Sequence, residues 1–193
     1  RVHQPCTAAI ITDDQVDALY ARQAEASLQA AGFTPLRFVF PHGEASKNAA
    51  TLLQIYDFLS QAGVTRSDLI VALGGGVAGD LAGFAAATYL RGIAFVQLPT
   101  TLLAAVDSSV GGKTGIDLPA GKNLAGAFWQ PSLVVCDTNT FNTLPPWVFA
   151  DGVAEVIKYG VMTDPALFQL LEAGQLHSRL TEVVCRCIEI KRD

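Results

Sequence analysis

The chain has 193 residues, of which 50% are hydrophobic and 16% are charged, and its formal net charge is −5 at pH 7. This length suits one α/β domain with part of a second, and the composition excludes a disordered chain. The negative charge argues against nucleic acid or an anionic membrane as the main partner. The charge-free stretch 92–106 is too short and too polar for a membrane helix. We expect a cytoplasmic protein whose four cysteines are reduced thiols.

Apolar runs and segments with helical spacing alternate along the first 145 residues. The run Leu69–Leu73 is apolar at every position, which is typical of a central parallel strand covered by helices on both faces. Leu19 on the first helix and Leu53 on the second are predicted to face this sheet. The alternation predicts a Rossmann-like, doubly wound α/β fold with a mainly parallel sheet. The predicted strands are 8–12, 36–40, 69–73, 94–98 and 133–136, and the predicted helices between them are 14–31, 47–62 and 80–90.

After residue 145 the chain becomes all helical, with predicted helices at 148–161, 165–172 and 180–191. We therefore divide it into an α/β domain, 1–145, and the beginning of a helical second domain, 146–193. The chain starts close to a strand and stops inside a predicted helix. We expect a piece of a longer polypeptide whose α/β domain lacks its first strand.

The segment Gly74–Asp80 joins the buried strand to the next helix. A helix that begins directly after a strand presents free backbone N–H groups and the positive end of its dipole to a phosphate. Glycine lets a ligand approach the backbone closely. The spacing is neither Gly-x-Gly-x-x-Gly nor a P-loop. We interpret this segment as the phosphate cradle of a dinucleotide cofactor, and a tight turn with close packing is the alternative.

A second polar cluster, 99–115, follows the next buried strand. Because the carboxyl ends of parallel strands meet at one edge of a sheet, it is expected beside the glycine segment. Its threonines can bond ribose or phosphate, Asp107 can orient a hydroxyl, and Lys113 supplies a positive charge. The nearby segment 121–123, Gly-Lys-Asn, adds a cation and an amide, although such a sequence is also a common turn.

Two acidic residues allow more than one interpretation. Glu44 follows the second strand, where dinucleotide-binding folds place an acid on the ribose hydroxyls, but an acid in the first turn also stabilises a helix. Glu155 and Lys158 share a helix face at i and i+3. They are either a solvated ion pair or a metal ligand beside a substrate-binding ammonium.

Taken together, these blocks resemble the 3-dehydroquinate synthase family in order and spacing through nearly the whole chain. The most specific block is Val106–Thr114, Val-Asp-Ser-Ser-Val-Gly-Gly-Lys-Thr. The others are Gly43-Glu44-x-x-Lys47, Gly74–Asp80, Gly83-Phe84, Tyr89-x-Arg91-Gly92, Gln97-x-Pro99-Thr100-Thr101-Leu102-Leu103, Gly121-Lys122-Asn123 and Ala154-Glu155-Val156-Ile157-Lys158.

The resemblance implies a carbon–oxygen lyase of the shikimate pathway, the route to aromatic amino acids. This family converts 3-deoxy-arabino-heptulosonate 7-phosphate into 3-dehydroquinate and phosphate, with catalytic NAD and a zinc or cobalt ion. A transient oxidation acidifies a C–H bond, phosphate leaves, the hydride returns and the ring recloses. A homodimer acting on a phosphorylated sugar acid is expected. A related cyclase such as 2-deoxy-scyllo-inosose synthase, a polyol dehydrogenase of the glycerol dehydrogenase type and a non-catalytic NAD-binding module remain alternatives.

The resemblance also implies roles for individual residues. Glu155 is the expected metal ligand. Two histidine ligands are expected beyond residue 193, because His3, His42 and His177 lie outside the family's motifs, and we expect this chain alone to be inactive. The expected substrate-facing and catalytic residues are Arg91, Asp107, Lys113, Asn123 and Lys158. The expected cofactor-binding residues are Asp13, Glu44, Lys47, Gly75, Gly76, Val77, Ala78, Gly79, Asp80, Thr100, Thr101, Leu103, Asp107, Ser108, Lys113, Lys122, Thr140, Phe141, Asn142 and Thr143.

Overall fold

A parallel five-stranded sheet forms the centre of the protein. The computed structural model describes residues 3–192. The strands are β1 Thr7–Asp13, β2 Thr34–Phe40, β3 Leu69–Gly74, β4 Ala94–Pro99, β5 Lys113–Leu118, β6 Gly121–Phe128 and β7 Leu133–Val134. The sheet order is β2-β1-β3-β4-β7, with parallel pairing throughout. This confirms the predicted Rossmann-like α/β class. A strand before Arg1 would lie outside the described residues and stays a prediction.

One face of the sheet is covered by the helical segment 14–30, called α1. It packs on alternate residues of β1 and β3, including Ile10 and Val71. The prediction that Leu19 faces the sheet is wrong: Leu19 is 54% exposed, and Ala21 is fully buried instead. A π-helical segment changes the angle between successive side chains and so moves the buried face. The parts of α1 are the α-helical Asp14–Val16, the π-helical Asp17–Ala21 and the α-helical Arg22–Ala30.

The opposite face of the sheet is covered by α2, Ala49–Gln61, and α3, Gly76–Thr88. Their side chains meet the other set of strand residues, such as Ile11 and Ile70, in a second core cluster. Leu53 on α2 is 60% exposed, so its predicted inward orientation is wrong. Since both faces are covered, every residue of β3 is buried, as its continuous apolarity predicts.

A β-hairpin made of β5 and β6 was not predicted from the sequence. The two strands pair antiparallel, with Lys113 opposite Phe128. Many glycines and polar residues in this stretch hide the usual alternation of a strand. β5 packs on α3 so closely that a Cβ atom at Gly83 would lie 2.4 Å from Thr114 Cγ2. The hairpin therefore packs against the middle of α3.

The last part of the chain forms a helical layer. Its helices are α4 Pro146–Met162, α5 Pro165–Glu172 and α6 Leu180–Arg192. Their apolar side chains pack on Leu102, Val106 and Phe141 in a third core cluster. Leu102 lies just before a π-helical segment, Ala104–Ser108, which follows β4. The predicted domain boundary after residue 145 stays a prediction, since this cluster joins residues from both sides of it.

Two smaller findings concern the sequence-based expectations of location. None of the helices within residues 3–192 has the length and apolarity needed to cross a membrane. All four cysteines carry free thiols, and Cys185 is the exposed one.

Candidate active site

A crevice at the carboxyl ends of β1 and β3 contains the glycine segment. In this strand order, the chain turns in opposite directions after β1 and after β3, and ligands of doubly wound folds bind at such a point. Gly74 has a φ of 150°, and a Cβ atom there would lie 2.8 Å from Ala78 Cβ. Asp13 lies beside Gly74 and caps α1, because its Oδ1 accepts the N–H groups of Gln15 and Val16 at 3.0 and 2.9 Å.

Helix α3 begins at Gly76, four residues earlier than predicted, so Gly76–Asp80 form its first turn. No side chain within residues 3–192 caps this helix, which leaves its first backbone N–H groups for a ligand. A Cβ atom at Gly75 would lie 3.1 Å from Thr101 Cγ2, and one at Gly76 would lie 3.4 Å from Ser108 Oγ. Val77 is half-buried, whereas Ala78 and Gly79 are buried against the sheet. These last two residues pack the helix and offer little side-chain surface to a cofactor.

Two buried hydroxyl groups border this cradle. Thr100 Oγ1 and Ser108 Oγ are buried and have no hydrogen-bond partner among the described residues. A buried hydroxyl without a partner costs about 1–3 kcal/mol, so a partner is expected from a bound ligand. Both residues follow β4 in the polar cluster 99–115. Thr101 differs from them, since its Oγ1 accepts the N–H of Ala104 at 3.2 Å.

The side chain of Lys47 is buried beneath the hairpin, where protein groups already bind its ammonium. Its Nζ is 2.5 Å from Asp80 Oδ2 and 2.5 Å from Asn123 Oδ1. Burial raises the pKa of the Asp80 carboxyl above its ordinary value, although the hydrogen bond and charge of Lys47 act in the opposite direction. Asn123 has a φ of 56°, and its N–H donates to Asp117 Oδ1 at 2.7 Å. Lys47 thus links the first turn of α3 to the hairpin.

A cavity of about 540 Å³ opens between the hairpin, the start of α3 and α6. Three residues that were predicted to face substrate, Asp107, Lys113 and Asn123, line it together. Asp80 and Ser108 also line it, so the cavity adjoins the phosphate cradle. Val110 and Thr114, from the block Val106–Thr114, also line it. The sequence did not single out the remaining lining residues, which are Gly126, Ala127, Phe128 and Lys191.

Asp107 is held by groups from the helical layer. Lys191 Nζ on α6 forms an ion pair with Asp107 Oδ1. The hydroxyl of Tyr159 on α4 donates to the same Oδ1 at 3.4 Å and to the carbonyl of Val106 at 3.2 Å. Burial raises the pKa of Tyr159 well above its ordinary value, and the carboxylates of Asp107 and Glu155 raise it further. The hydroxyl therefore keeps its proton and remains a donor.

The remaining predicted cofactor residues lie around the crevice rim or in the core. Glu44 and Lys122 are exposed and form an ion pair with an N–O distance of 3.1 Å. Leu103 is 38% exposed, while Phe141 is 5% exposed and packs in the third core cluster. The segment Thr138–Thr143 is a 3₁₀ helix that contains Thr140, Asn142 and Thr143. The sequence did not suggest its link to α1, in which Tyr20 donates to Thr140 O at 3.1 Å and contacts Thr143 Oγ1 at 2.5 Å.

Arg91 is not brought to the cavity. It lies in a 3₁₀ turn, Tyr89–Arg91, between the end of α3 and the start of β4. This position is at the amino ends of the parallel strands, across the sheet from the glycine segment. Leu90 and Arg91 have φ values of 51° and 67°. Among the described residues, Arg91 thus does not line the cavity that Asp107 lines, and its expected contact with substrate stays a prediction.

A family model described as 3-dehydroquinate synthase N-terminal matches residues 37–151. The chain belongs to the 3-dehydroquinate synthase family. The 3-dehydroquinate synthase of Pelobacter propionicus is 57% identical over 189 residues, which cover 95% of this chain and 53% of that protein. The chain thus spans about half the length of the curated relatives that it matches.

Solved structures of related sugar-phosphate cyclases share the fold. A 2-epi-5-epi-valiolone synthase from Streptomyces hygroscopicus subsp. jinggangensis, with NAD+ and Zn2+ bound, has a TM-score of 0.89 and 30% identity, covering 96% of this chain and 54% of that one. A 2-deoxy-scyllo-inosose synthase with carbaglucose-6-phosphate, NAD+ and Co2+ has a TM-score of 0.76 and 32% identity, covering 82% and 43%.

The residues of this 3-dehydroquinate synthase family member fit a dinucleotide. Among the described residues, no side chain caps the start of α3 and two buried hydroxyls have no partner, and Gly74 has no room for a side chain. A pyrophosphate and a ribose supply the acceptors and donors that these groups need.

The same residues do not form a metal site. Glu155, the expected ligand, forms an ion pair with Lys158 on the next turn of α4. Within residues 3–192, no group of three or more His, Cys, Asp or Glu side chains is placed to hold a metal ion. A catalytic zinc usually has three protein ligands. The described residues alone therefore supply too few ligands for a catalytic zinc.

Proposed function

We propose that the protein is a 3-dehydroquinate synthase that uses NAD to convert 3-deoxy-arabino-heptulosonate 7-phosphate into 3-dehydroquinate and phosphate. The observation that carries this proposal is the cavity where Asp107, Lys113 and Asn123 meet beside the start of α3. A phosphorylated sugar acid needs both cations and hydroxyl acceptors, and this cavity offers both. The family membership supports the same reaction class, carbon–oxygen lyase.

Each cavity residue has a separate task in this proposal. NAD, when bound, supplies reversible hydride acceptance. Lys113 attracts the negative charge of the substrate, and the Asn123 amide bonds a substrate hydroxyl or carboxylate. Asp107 accepts a hydrogen bond from a hydroxyl that must lie next to the cofactor. Lys47 holds Asn123 from behind through its 2.5 Å contact, so its task is to position the amide.

The metal, the dimer and the cellular location remain proposals. The two cyclases above contain Zn2+ or Co2+, and we propose that Glu155 gives one ligand to such an ion. Two histidines beyond residue 193 would complete the set. We also propose a cytoplasmic homodimer, following the resemblance of the sequence to its family.

Removal of either unpartnered hydroxyl should have opposite effects on two quantities, the stability of the free protein and its affinity for NAD+. Thr100→Val and Ser108→Ala each remove a buried hydroxyl and keep most of the volume. Without cofactor, each variant should be more stable to urea than the parent, by about 1 kcal/mol, because an unpaired polar group is lost. In calorimetric titration with NAD+, each should bind about five- to tenfold more weakly, since a ligand hydrogen bond is lost.

Thr101→Val is the matched control, because its hydroxyl already has a protein partner. It should lose stability, in contrast to Thr100→Val. If the parent chain shows no NAD+ binding, or if Thr100→Val binds as tightly as the parent, the proposed cofactor site is wrong.

The substrate is tested by competition and by turnover. Heptulosonate 7-phosphate should bind in the presence of NAD+, and glucose 6-phosphate should not displace it. Binding of glucose 6-phosphate alone would favour the 2-deoxy-scyllo-inosose synthase alternative. We expect the chain 1–193 to release no phosphate from heptulosonate 7-phosphate, and release at the rate of a curated relative would contradict that expectation.

A further inference from the structure

The hydroxyl of Tyr20 joins α1 to the 3₁₀ helix Thr138–Thr143, which follows β7. It donates to the carbonyl of Thr140 at 3.1 Å and lies 2.5 Å from Thr143 Oγ1. Thr143 Oγ1 donates to the same carbonyl at 3.0 Å. These three groups form one hydrogen-bonded cluster, although Tyr20 and Thr140 are 120 residues apart in sequence.

The first helix also contacts the glycine segment. Four residues before Tyr20, Val16 Cγ2 would lie 4.0 Å from a Cβ atom at Gly74. α1 therefore reaches both the glycine segment and the 3₁₀ helix within about one helical turn, roughly 5 Å along its axis. On its other side, the 3₁₀ helix is anchored by Phe141, which is buried in the third core cluster.

A simpler explanation is that the contact only satisfies the hydroxyl of Tyr20, since a buried tyrosine usually finds a hydrogen-bond partner. Two observations favour a larger role. Tyr20 lies in the π-helical segment Asp17–Ala21, and single π-helical turns occur frequently at functional sites. The ring of Tyr20 packs in the core cluster between α1 and the sheet, whereas its hydroxyl leaves that core for the segment 140–143. The sequence predicts cofactor contacts for this segment.

We propose that Tyr20 is a positioning residue of the cofactor site, which holds the threonines of the 3₁₀ helix beside the glycine segment. This inference rests on the proposed function, in which NAD binds in the crevice, and on the predicted contacts of Thr140 and Thr143 with it. Without the hydroxyl, the 3₁₀ helix would stay anchored at Phe141 but would lose its link to α1. NAD would then have to order the threonines when it binds, and this ordering lowers affinity.

Tyr20→Phe tests the inference, because it keeps the ring and removes only the hydroxyl. In calorimetric titration, this variant should bind NAD+ about five- to tenfold more weakly than the parent, the worth of one neutral hydrogen bond. Without cofactor, amide hydrogen exchange in 138–143 should be faster than in the parent, since local opening becomes easier. The N–H of Thr140 reports on this opening, because it donates to Asp137 O inside the same turn.

Tyr56→Phe is the matched control. Tyr56 is also half-buried, and its hydroxyl also lies 2.5 Å from a threonine hydroxyl, that of Thr88. Thr88 is the last residue of α3, at the opposite end from the glycine segment. The control should lose a similar amount of stability in urea and keep the NAD+ affinity of the parent. Equal weakening of NAD+ binding in both variants would overturn the inference.

A double-mutant cycle with Thr143→Val separates positioning from direct contact. If Tyr20 acts through the threonines, the losses of NAD+ affinity in Tyr20→Phe and Thr143→Val are smaller together than their sum. Additive losses would assign Tyr20 a direct contact with the cofactor and overturn the positioning role. Unchanged amide exchange in Tyr20→Phe would overturn it as well.

The inference and the proposed function fail in different ways. If the parent binds NAD+ and Tyr20→Phe binds it equally well, the positioning inference is wrong and the cofactor site stands. If the parent binds no NAD+, the proposed cofactor site is wrong and the inference falls with it.

Discussion

Lys47 is less exposed to solvent than Lys122 or Lys191, two other paired lysines of the site. Its side chain is 6% exposed, and two acceptors, Asp80 and Asn123, lie at 2.5 Å. The sequence predicted a cofactor contact for Lys47 from family likeness, but it could not show this burial, because both acceptors are remote in sequence. A buried ion pair contributes to stability only while both partners are present.

Lys47→Met should therefore destabilise the protein by about 3–5 kcal/mol, since it leaves the Asp80 carboxylate buried without its partner. Lys122→Met, at a pair whose lysine is 71% exposed, should cost at most about 1 kcal/mol. Urea unfolding of both variants measures the difference. Similar small losses in both would show that the Lys47 pair is accessible to water.

Ionisation of the Asp68 carboxyl makes the stability of the folded protein depend on pH. Burial opposes ionisation of this carboxyl, but hydrogen bonds from Thr65 and Thr7 outweigh it and lower the pKa below the ordinary 3.8. A lowered pKa in the folded state adds stability that is fully present above the unfolded value and is lost as the pH falls through the folded value.

The stability of the parent should thus fall as the pH drops below about 4. Asp68→Asn should be less stable at pH 7, and the difference from the parent should narrow on acidification. Urea unfolding between pH 2 and 7 measures this gap. A gap that stays constant over that range would exclude Asp68 as a source of the acid sensitivity.

At the scale of elements, the sequence predicted strands and helices with a regular apolar pattern. It missed the π-helical segment and the hairpin, which have no such pattern. β3 was predicted because it is apolar at every position, and α5 was predicted with its observed bounds. The inward face of α1 was misplaced at Leu19, since the π-helical segment breaks the spacing of 3.6 residues. The hairpin of β5 and β6 was missed because no alternating pattern marks its strands.

Prediction of the site was limited where contacts join residues that are remote in sequence. Asp107, Lys113 and Asn123 belong to recognisable blocks and do meet in one cavity. No role was predicted for Lys191 or Tyr159, and only the packing of the helical layer brings them to Asp107. A sequence can indicate a cluster of polar residues at the carboxyl end of a strand. It cannot indicate a contact between side chains of the α/β layer and the helical layer.

Gly83→Ala tests the contact between α3 and the hairpin. The new Cβ would lie 2.4 Å from Thr114 Cγ2, and such overpacking costs about 1–3 kcal/mol, more than the gain in helix propensity, about 1 kcal/mol. Thr114→Ser removes this methyl group and keeps the hydroxyl, which donates to Ala127 O at 2.8 Å. In thermal unfolding, the double variant should be more stable than the sum of the two single changes predicts. Strict additivity would mean that the hairpin simply moves away from α3.

At the scale of the whole molecule, the α/β layer and the helical layer share a core. Leu102 and Val106 are fully buried against residues of α4 and α6. A Cβ atom at Gly152 on α4 would lie 2.6 Å from Leu102 Cβ, so the two layers are in close contact. The chain should therefore unfold as one cooperative unit.

A fragment that ends at residue 145 tests this expectation. It would expose Leu102, Val106 and Phe141, and we expect it to bind a hydrophobic dye and to unfold at a lower temperature than the chain 1–193. Calorimetry and dye fluorescence measure both effects. A fragment with the melting temperature of the whole chain and no dye binding would instead support an independent domain, 1–145.

The hairpin begins and ends at one place. The N–H of Trp129 donates to the carbonyl of Gly112 at 2.7 Å. This hydrogen bond joins the two ends of the hairpin, which lies between β4 and β7 in the sequence. The hairpin carries Lys113 and Asn123, while the glycine cradle lies entirely outside it. The hairpin thus carries two of the three cavity residues that were expected to face substrate, while the third, Asp107, lies before it. We therefore expect that exchange of 113–128 for the same segment of a related cyclase changes the binding of sugar phosphates more than it changes the binding of NAD+.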